Sequence, residues 1–135
     1  MIAPAILAAS LLTLATAAAV HAQPAPSLGS GISRADLQRH DLSAPGREMI
    51  QVRVGFGPGA QAARHSHPGE EIVYVLEGSL EYRLDGHPPV TVGAGDVLFI
   101  PDGAIHAVRN VGTGAASELA TYIVRKSEPL VALAE

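Results

Sequence analysis

Apolar and polar residues alternate with a period of two along much of the chain after residue 49. The apolar members of two such runs are Val52, Val54 and Phe56, and Leu80, Tyr82 and Leu84. Successive side chains of a β-strand point to opposite faces, so this alternation predicts strands with one buried face. Turn residues such as Asp85-Gly86 separate the runs about every eight to twelve residues. The pattern therefore predicts an all-β domain, either a barrel or a sandwich.

Two further runs, residues 72–76 and 97–100, are apolar at every position. A strand of this composition is expected to be buried on both faces. One face would fill the interior of the barrel, and the other would need cover from a second sheet or a second subunit. The segment before residue 49 is an alternative source of that cover.

The first 22 residues have the composition of a targeting segment. No charged side chain occurs between residues 2 and 20, where Ala, Leu and Ile are frequent. Val20-His21-Ala22 places small or tolerated residues where signal peptidase reads, although no Lys or Arg precedes the apolar stretch. An uncleaved membrane anchor is the alternative, since a span needs about 20 apolar residues. The many Ala, Ser and Thr residues favour cleavage after Ala22. We therefore expect an exported protein, periplasmic or secreted, without stable membrane association after processing.

Removing residues 1–22 from the 135-residue chain would leave 113 residues, enough for one domain. Residues 23–48 are then expected to form a flexible leader and N-terminal segment, residues 49–126 the barrel, and residues 127–135 a C-terminal tail. Residues 32–42 are ambiguous. Ser33 followed by Asp36 could cap one helical turn, or the stretch could be an edge strand.

Charge and cysteine content exclude some classes of protein. The formal net charge is −4, and the basic residues form no cluster, so nucleic acid is not expected as a partner. The chain contains no cysteine. An exported domain of this size without disulfides must depend on packing, a bound metal or self-association for its stability.

Three histidines and a glutamate have the spacing of metal ligands. His65 and His67 are two residues apart, so on a strand their imidazoles face the same way. Either Glu70 or Glu71 could add a carboxylate, because the Pro68-Gly69 turn resets the strand parity. His106 comes from a distant part of the chain. It could converge on the others if its strand lies beside theirs, about 4.8 Å away.

These residues belong to two longer motifs with fixed spacing. In the first, Gly59 is followed after five residues by His65-Ser66-His67, after three more by Glu71, and after six more by Gly78. In the second, Gly95 is followed at fixed intervals by Pro101, Gly103, His106 and Asn110. Both motifs, with sixteen residues between them, closely resemble those of the cupin superfamily. The resemblance covers roughly residues 51–124.

The resemblance implies a jelly-roll β-barrel of six to eight strands with one metal ion inside. It places the metal ligands on His65, His67, Glu71 and His106, and so selects Glu71 over Glu70. A nitrogen and oxygen ligand set of this kind suits divalent Mn, Fe, Co, Ni or Zn, and Mn or Fe is favoured. Small single-domain cupins commonly form homodimers through apolar sheet faces, so a homodimer is expected.

The resemblance also implies a metal-dependent enzyme that acts on a small polar or phenolic compound. A dioxygenase-like oxidoreductase is favoured over an isomerase or a decarboxylase, and Glu71 could also serve as a catalytic base. Candidate substrate contacts are Arg53, Tyr82 and Tyr122, although a surface or interface position is the interpretation we favour for each. The alternative function is a non-catalytic module that binds a metal or a small ligand.

Overall fold

The computed structural model of the protein describes residues 27–135. In chain order its strands are β1 (Ile32–Asp41), β2 (Arg47–Phe56), β3 (Gln61–Ser66), β4 (Gly69–Glu77), β5 (Ser79–Leu84), β6 (Val90–Gly93), β7 (Val97–Ile100), β8 (His106–Asn110), β9 (Ala116–Arg125) and β10 (Ala132–Leu133). The expected signal peptide, residues 1–22, lies outside the described residues. Within residues 27–135, no helix has the length and apolar character needed to cross a membrane.

The ten strands form two five-stranded antiparallel sheets. The first sheet has the order β1-β2-β9-β4-β7, and the second has the order β10-β3-β8-β5-β6. Most successive strands lie in different sheets, so the chain crosses repeatedly between the two layers. The apolar inner faces of both sheets enclose one core. This two-sheet arrangement confirms the predicted all-β class.

The core is built from the alternate apolar positions that the sequence pattern identified. Val52 on β2, Val73 and Val75 on β4, and Leu80 on β5 are completely buried. On β2 and β9 every second residue points inward, and the residues between them are more exposed. Burial of this alternating set holds the two sheets together, since apolar area removed from water contributes about 25 cal/mol per Å².

The runs at residues 72–76 and 97–100 are covered on one face only within residues 27–135, so a second sheet of the same chain does not supply the expected cover. Ile72 pairs with Phe99, and Tyr74 pairs with Val97, across β4 and β7. All four side chains are exposed, Val97 by 66% and Phe99 by 58%. The first sheet therefore presents an apolar outer surface on its β4–β7 side, which we call the apolar face.

The N-terminal segment does not cover the apolar face within the described residues. Residues 32–41 form β1, the edge strand that was one of the two sequence interpretations, and β1 pairs with β2 in the plane of the first sheet. This places β1 at the opposite edge of the sheet from β7. At the other end of the chain, β10 pairs with β3 and ties part of the segment 127–135 to the second sheet.

Gly69 allows β4 to begin directly against β9. A Cβ atom at this position would lie 2.1 Å from the carbonyl oxygen of Ile123. No side chain fits that space, because real Cβ contacts are never so short. The close approach sets the start of β4, including Glu71, directly beside β9 in the plane of the first sheet.

Candidate metal centre

The three histidines reach one point between the sheets from two neighbouring strands and the turn that follows one of them. His65 on β3 pairs directly with His106, the first residue of β8. His67 lies just beyond the end of β3. A register irregularity lies between Ala62 and His65, which are three positions apart. Because of it, the side chains of Ala62 and His65 both point inward, although a regular strand would send them to opposite faces. Parity counting along the whole of β3 could not have predicted this shift.

Glu71 joins the histidines from the opposite sheet. It lies on the inner face of β4 and pairs with Tyr122 on β9. Glu70 is half-buried, and its side chain points to the opposite, outer face of the sheet. The strand orientation therefore agrees with the choice of Glu71 over Glu70.

The potential ligand atoms lie within a few ångströms of one another. One ring nitrogen from each of His65, His67 and His106 lies within 4.8 Å of the other two. The Oε2 atom of Glu71 is 3.1 Å from Nε2 of His67 and 3.3 Å from Nε2 of His106. All four residues are between 2% and 4% exposed. The histidines form a buried metal-binding cluster, with a carboxylate against two of them.

Backbone carbonyl groups fix the orientation of each imidazole. The Nδ1 atoms of His65, His67 and His106 lie 2.7, 2.7 and 2.9 Å from the carbonyl oxygens of Ala63, Leu130 and Ala104. A carbonyl oxygen can only accept, so each Nδ1 carries the hydrogen that it donates. The lone pair of each neutral ring is then on Nε2. Metal-binding histidines are commonly held by an outer hydrogen bond of this kind.

Two buried polar atoms in the cluster have no hydrogen-bond partner. They are Nε2 of His67 and Oε2 of Glu71, which face each other. Because the hydrogen of neutral His67 is on Nδ1, its Nε2 has none to give to the carboxylate. Buried polar atoms are rarely left unpaired. Two electron-pair donors aimed at each other fit a cation between them.

The cluster also shifts the pKa values of its members. Burial and the neighbouring His106 lower the pKa of His65 to about 4. Burial on its own lowers the pKa of His106, but the contact with the Glu71 carboxylate outweighs it and holds that pKa above its ordinary value. Burial on its own raises the pKa of Glu71, but His106 and His67 outweigh it and hold that pKa well below its usual range.

Tyr82 and Tyr122 lie between the two sheets. The surface or interface position favoured by the sequence analysis is therefore wrong for both. They are 1% and 4% exposed. The ring of Tyr122 is 4.7 Å from that of His67, and the ring of Tyr82 is 6.5 Å from that of His106. Both tyrosines therefore line the space next to the cluster.

Arg53, the third candidate for substrate contact, is on the other side of the first sheet. It is exposed, whereas its neighbours Val52 and Val54 on β2 point inward. The structure therefore separates Arg53 from the cluster by the thickness of the sheet.

Glu118 is a buried carboxyl group near the cluster that the sequence analysis missed. It is 3% exposed and accepts a hydrogen bond from the hydroxyl group of Tyr82. Burial and the charge of Glu71 raise the pKa of Glu118 to about 8. The signal was available in the sequence, because Glu118 has the same strand parity as Ala120 and Tyr122.

Comparison with known protein families identifies the fold. A family model described as the cupin domain matches residues 52–122. The chain belongs to the cupin family. Among solved structures, the cupin resembles oxalate oxidase, with a TM-score of 0.63, 25% identity, and coverage of 82% of this chain and 59% of the oxidase.

Several proteins from other organisms are similar in sequence. Dimethylsulfoniopropionate lyase DddQ of Ruegeria pomeroyi is 49% identical over 45 residues, which cover 33% of this chain and 22% of the lyase. Its structure superimposes with a TM-score of 0.57 at 32% identity, over 63% of this chain and 42% of the lyase. Germin-like protein 1-1 of Oryza sativa is 35% identical over 102 residues, 70% of this chain and 45% of the rice protein. The chain thus spans less than half the length of both proteins.

A shorter relative is the oxalate-binding protein of Thermotoga maritima. It is 36% identical over 79 residues, which cover 58% of this chain and 64% of the Thermotoga protein. The similar proteins therefore include both enzymes and a binding protein.

Proposed function

We propose that this cupin is a metal-dependent enzyme that acts on a small compound bearing a carboxylate group. The observation that carries the proposal is the pair of facing, unpartnered donors at His67 and Glu71 within the three-histidine cluster. Glu71 is then the fourth ligand. The carboxylate substrate class is supported by the names of the oxalate oxidase, the oxalate-binding protein and the dimethylsulfoniopropionate lyase.

His65, His67, Glu71 and His106 would hold one divalent ion, with Mn or Fe first and Ni, Co or Zn as alternatives. Such an ion supplies a Lewis acid that binds and polarises a carboxylate or carbonyl oxygen, and redox capacity if it is iron. The carbonyl groups of Ala63, Leu130 and Ala104 keep the imidazoles aimed before any ion arrives. This preorganisation reduces the free energy that ordering the ligands would otherwise cost.

The protein contributes hydrogen-bonding groups beside the cluster. Tyr122 lies against His67, and Tyr82 and Glu118 form a hydrogen-bonded pair further along the inner face of the sheets. The surrounding apolar side chains exclude water, which strengthens electrostatic interactions there. These groups would orient a polar substrate. The class of reaction that we favour is a dioxygenase-like oxidation, with a lyase, isomerase or decarboxylase reaction as the alternative.

The test begins with elemental analysis of protein purified from its native source. The metal-loaded protein is then incubated with oxalate, dimethylsulfoniopropionate, keto acids, diols and phenols, while oxygen uptake and products are measured. We expect turnover of at least one carboxylate and none with the His106→Ala variant. Metal-free protein, or turnover that persists in His106→Ala, would contradict the proposal.

A second candidate is a binding protein that holds a metal and a small acid without turnover. It is favoured by the near-complete burial of the cluster, since exposures of 2–4% leave little room for exchange of substrate and product. A ligand that raises the melting temperature of the metal-loaded protein and is recovered unchanged would favour this function over the enzymatic one.

We also propose that the protein is exported after cleavage behind Ala22 and forms a homodimer. Export is supported by the uncharged, Ala-rich residues 2–20, and mass spectrometry of the native protein tests it. A mass that includes residues 1–22 would contradict it. The dimer is supported by the apolar face, which carries Phe99 and Val97 in an exposed position.

A further inference from the structure

A cleft with a volume of about 410 Å³ opens on the outer surface of the first sheet. It is lined mainly by β1, β2 and β9, with Glu77 of β4 at one side. The metal-binding cluster lies on the inner face of the second sheet and of β4, so the cleft is separate from it. None of the four candidate metal ligands lines the cleft.

A row of small residues forms the floor of the cleft. Ser33 on β1 pairs with Gly55 on β2, Gly55 pairs with Ser117 on β9, and Ser117 pairs with Glu77 on β4. Gly55 has no side chain, and a Cβ atom there would be 2.5 Å from the hydroxyl oxygen of Ser33. The cleft therefore exists because Gly55 leaves its centre open between two hydroxyl groups.

One of these hydroxyl groups has no partner. Ser117 is only 4% exposed, and its buried Oγ atom makes no hydrogen bond within residues 27–135. Leaving a buried hydroxyl group unpaired costs free energy. A polar ligand in the cleft would supply the missing partner once the Ser117 side chain turns toward the ligand, since Oγ has almost no accessible surface of its own.

Two opposite charges in the cleft are also unpaired. Arg53 and Glu77 both line it, and neither has an ion-pair partner within 4.0 Å among residues 27–135. The other arginine of the cleft, Arg34, is 3.0 Å from the carboxylate of Asp36. The cleft thus offers one cation and one anion that form no ion pair with each other or with another residue of the described part of the chain.

The strand register gives the separation of these two charges. Arg53 is two residues along β2 from Gly55, and Glu77 is two strands away from Gly55. With a rise of about 3.4 Å per residue and about 4.8 Å between strands, their Cα atoms are about 12 Å apart. Both side chains can lean toward the centre of the cleft, which leaves a gap that fits a short molecule.

We propose that this cleft binds a small zwitterion with a carboxylate at one end and an ammonium group at the other. Arg53 receives the carboxylate, and Glu77 receives the ammonium group. Ser117 donates its hydroxyl hydrogen to the ligand carboxylate. The class of ligand is a free amino acid, and the spacing of its charged groups determines its affinity.

Amino acids of increasing length test the proposal. Glycine, β-alanine, 4-aminobutyrate and 5-aminovalerate are titrated into the isotope-labelled protein, and amide shifts are followed by NMR spectroscopy. We expect saturable binding that is strongest for one length, with shifts centred on Gly55 and Ser117. Shifts that do not saturate, or that centre on His65 and His106, overturn the proposal.

Two charge variants and two matched controls separate the cleft from general surface binding. Arg53→Gln and Glu77→Gln should each weaken binding of the preferred amino acid at least tenfold. Arg83→Gln and Glu128→Gln remove exposed charges elsewhere and should leave the affinity unchanged. Glu77→Gln should still bind butyrate, which has no ammonium group. Equal affinities in all four variants overturn the proposal.

Two further variants test the site itself. Gly55→Ala places a methyl group against Ser33 and should abolish binding, with circular dichroism used to verify that the sheet persists. If Gly55→Ala does not fold, Ser117→Ala provides the test and should weaken binding severalfold. His106→Ala should bind the amino acid normally. Loss of binding in His106→Ala with full binding in Arg53→Gln overturns the proposal.

Discussion

Tyr82 donates the hydrogen of its hydroxyl group to the carboxyl group of Glu118 between the two sheets, where each side chain is no more than 3% exposed. The pair lies in the same interior space as the metal-binding cluster, and the charge of Glu71 acts on both members. A carboxyl group in such surroundings is more stable with its proton than without it.

The first prediction concerns the stability of the metal-free protein between pH 5 and pH 8. Burial and Glu71 raise the pKa of Glu118 to about 8, while in the unfolded chain it is about 4.3. The unfolded state therefore loses this proton at lower pH than the folded state does. The contribution of Glu118 is fully present below about pH 4.3 and is lost as the pH rises toward 8.

Glu118→Gln removes this ionisation and keeps the shape of the side chain. We expect the variant to gain stability relative to the wild-type protein as the pH rises, by an amount on the order of 1–3 kcal/mol between pH 5 and pH 8. Urea unfolding with a chelator present measures the difference at each pH. A constant difference across this range would show that Glu118 is already ionised in the folded state.

The second prediction concerns the ligand set. His106→Ala should reduce metal affinity by more than about 100-fold, since even loss of an outer hydrogen bond costs 10- to 100-fold. The β-sheet spectrum should persist, because the core consists of apolar strands. Elemental analysis and circular dichroism measure the two effects.

His87→Ala is the matched control for that variant, because His87 is exposed in the turn between β5 and β6. Its metal content should equal that of the wild-type protein. Full metal occupancy in His106→Ala would show that the assignment of this ligand is wrong.

The third prediction concerns acid release of the metal. The contact with Glu71 raises the pKa of His106 above its ordinary value, so this imidazole is the first of the group to compete for protons as the pH falls. Glu71 stays ionised, because its pKa is held low. Metal affinity should fall by about tenfold per pH unit once the pH is below the raised pKa of His106, as one proton replaces the ion.

Competition with a metal-sensitive dye from pH 8 to pH 5 measures this slope. The Glu71→Gln variant lacks the charge that raises the pKa of His106, so its affinity should be weaker overall and should begin to fall only at lower pH. Affinity that is independent of pH down to 5 would mean that the imidazoles do not hold the ion.

The fourth prediction concerns the apolar face. Phe99→Ser should weaken the proposed homodimer by about tenfold or more, because burial of a Phe side chain contributes about 1.5–3 kcal/mol. The stability of the monomer should change little, since Phe99 is 58% exposed there. Sedimentation velocity over a range of concentrations gives the dissociation constant.

Val111→Ser is the control for the apolar face, because Val111 is 40% exposed but follows β8 in the other sheet. It should leave the dissociation constant unchanged. A wild-type protein that stays monomeric at high concentration would exclude the homodimer altogether.

Periodicity and motif spacing predicted the position of the cluster well. The HxH spacing predicted that the side chains of His65 and His67 point to the same face of the sheet. The second motif predicted His106 as a further metal ligand, although it is about forty residues away in the sequence. The direct pairing of His65 with His106 could not be derived from the spacing, because the irregularity in β3 breaks the period of two. Strand register depends on contacts between distant segments, which a single sequence does not record.

Burial was harder to predict than strand position. The apolar run at residues 72–76 indicates two buried faces, yet the single chain supplies cover for one. Conversely, Glu118 is an acidic residue at an inward position, and average composition assigns such residues to the surface. In both cases the environment comes from the neighbouring sheet, not from the residues themselves.

The short strand β10 gives the carboxyl end of the chain a direct connection to the ligands. Leu133 pairs with His65, and the carbonyl oxygen of Leu130 accepts a hydrogen bond from His67. Any purification tag fused after Glu135 therefore starts two residues beyond the partner of His65, and a polyhistidine tag would add competing chelators close to that strand. Metal measurements on recombinant material should use a removable handle, so that the metal detected belongs to the protein.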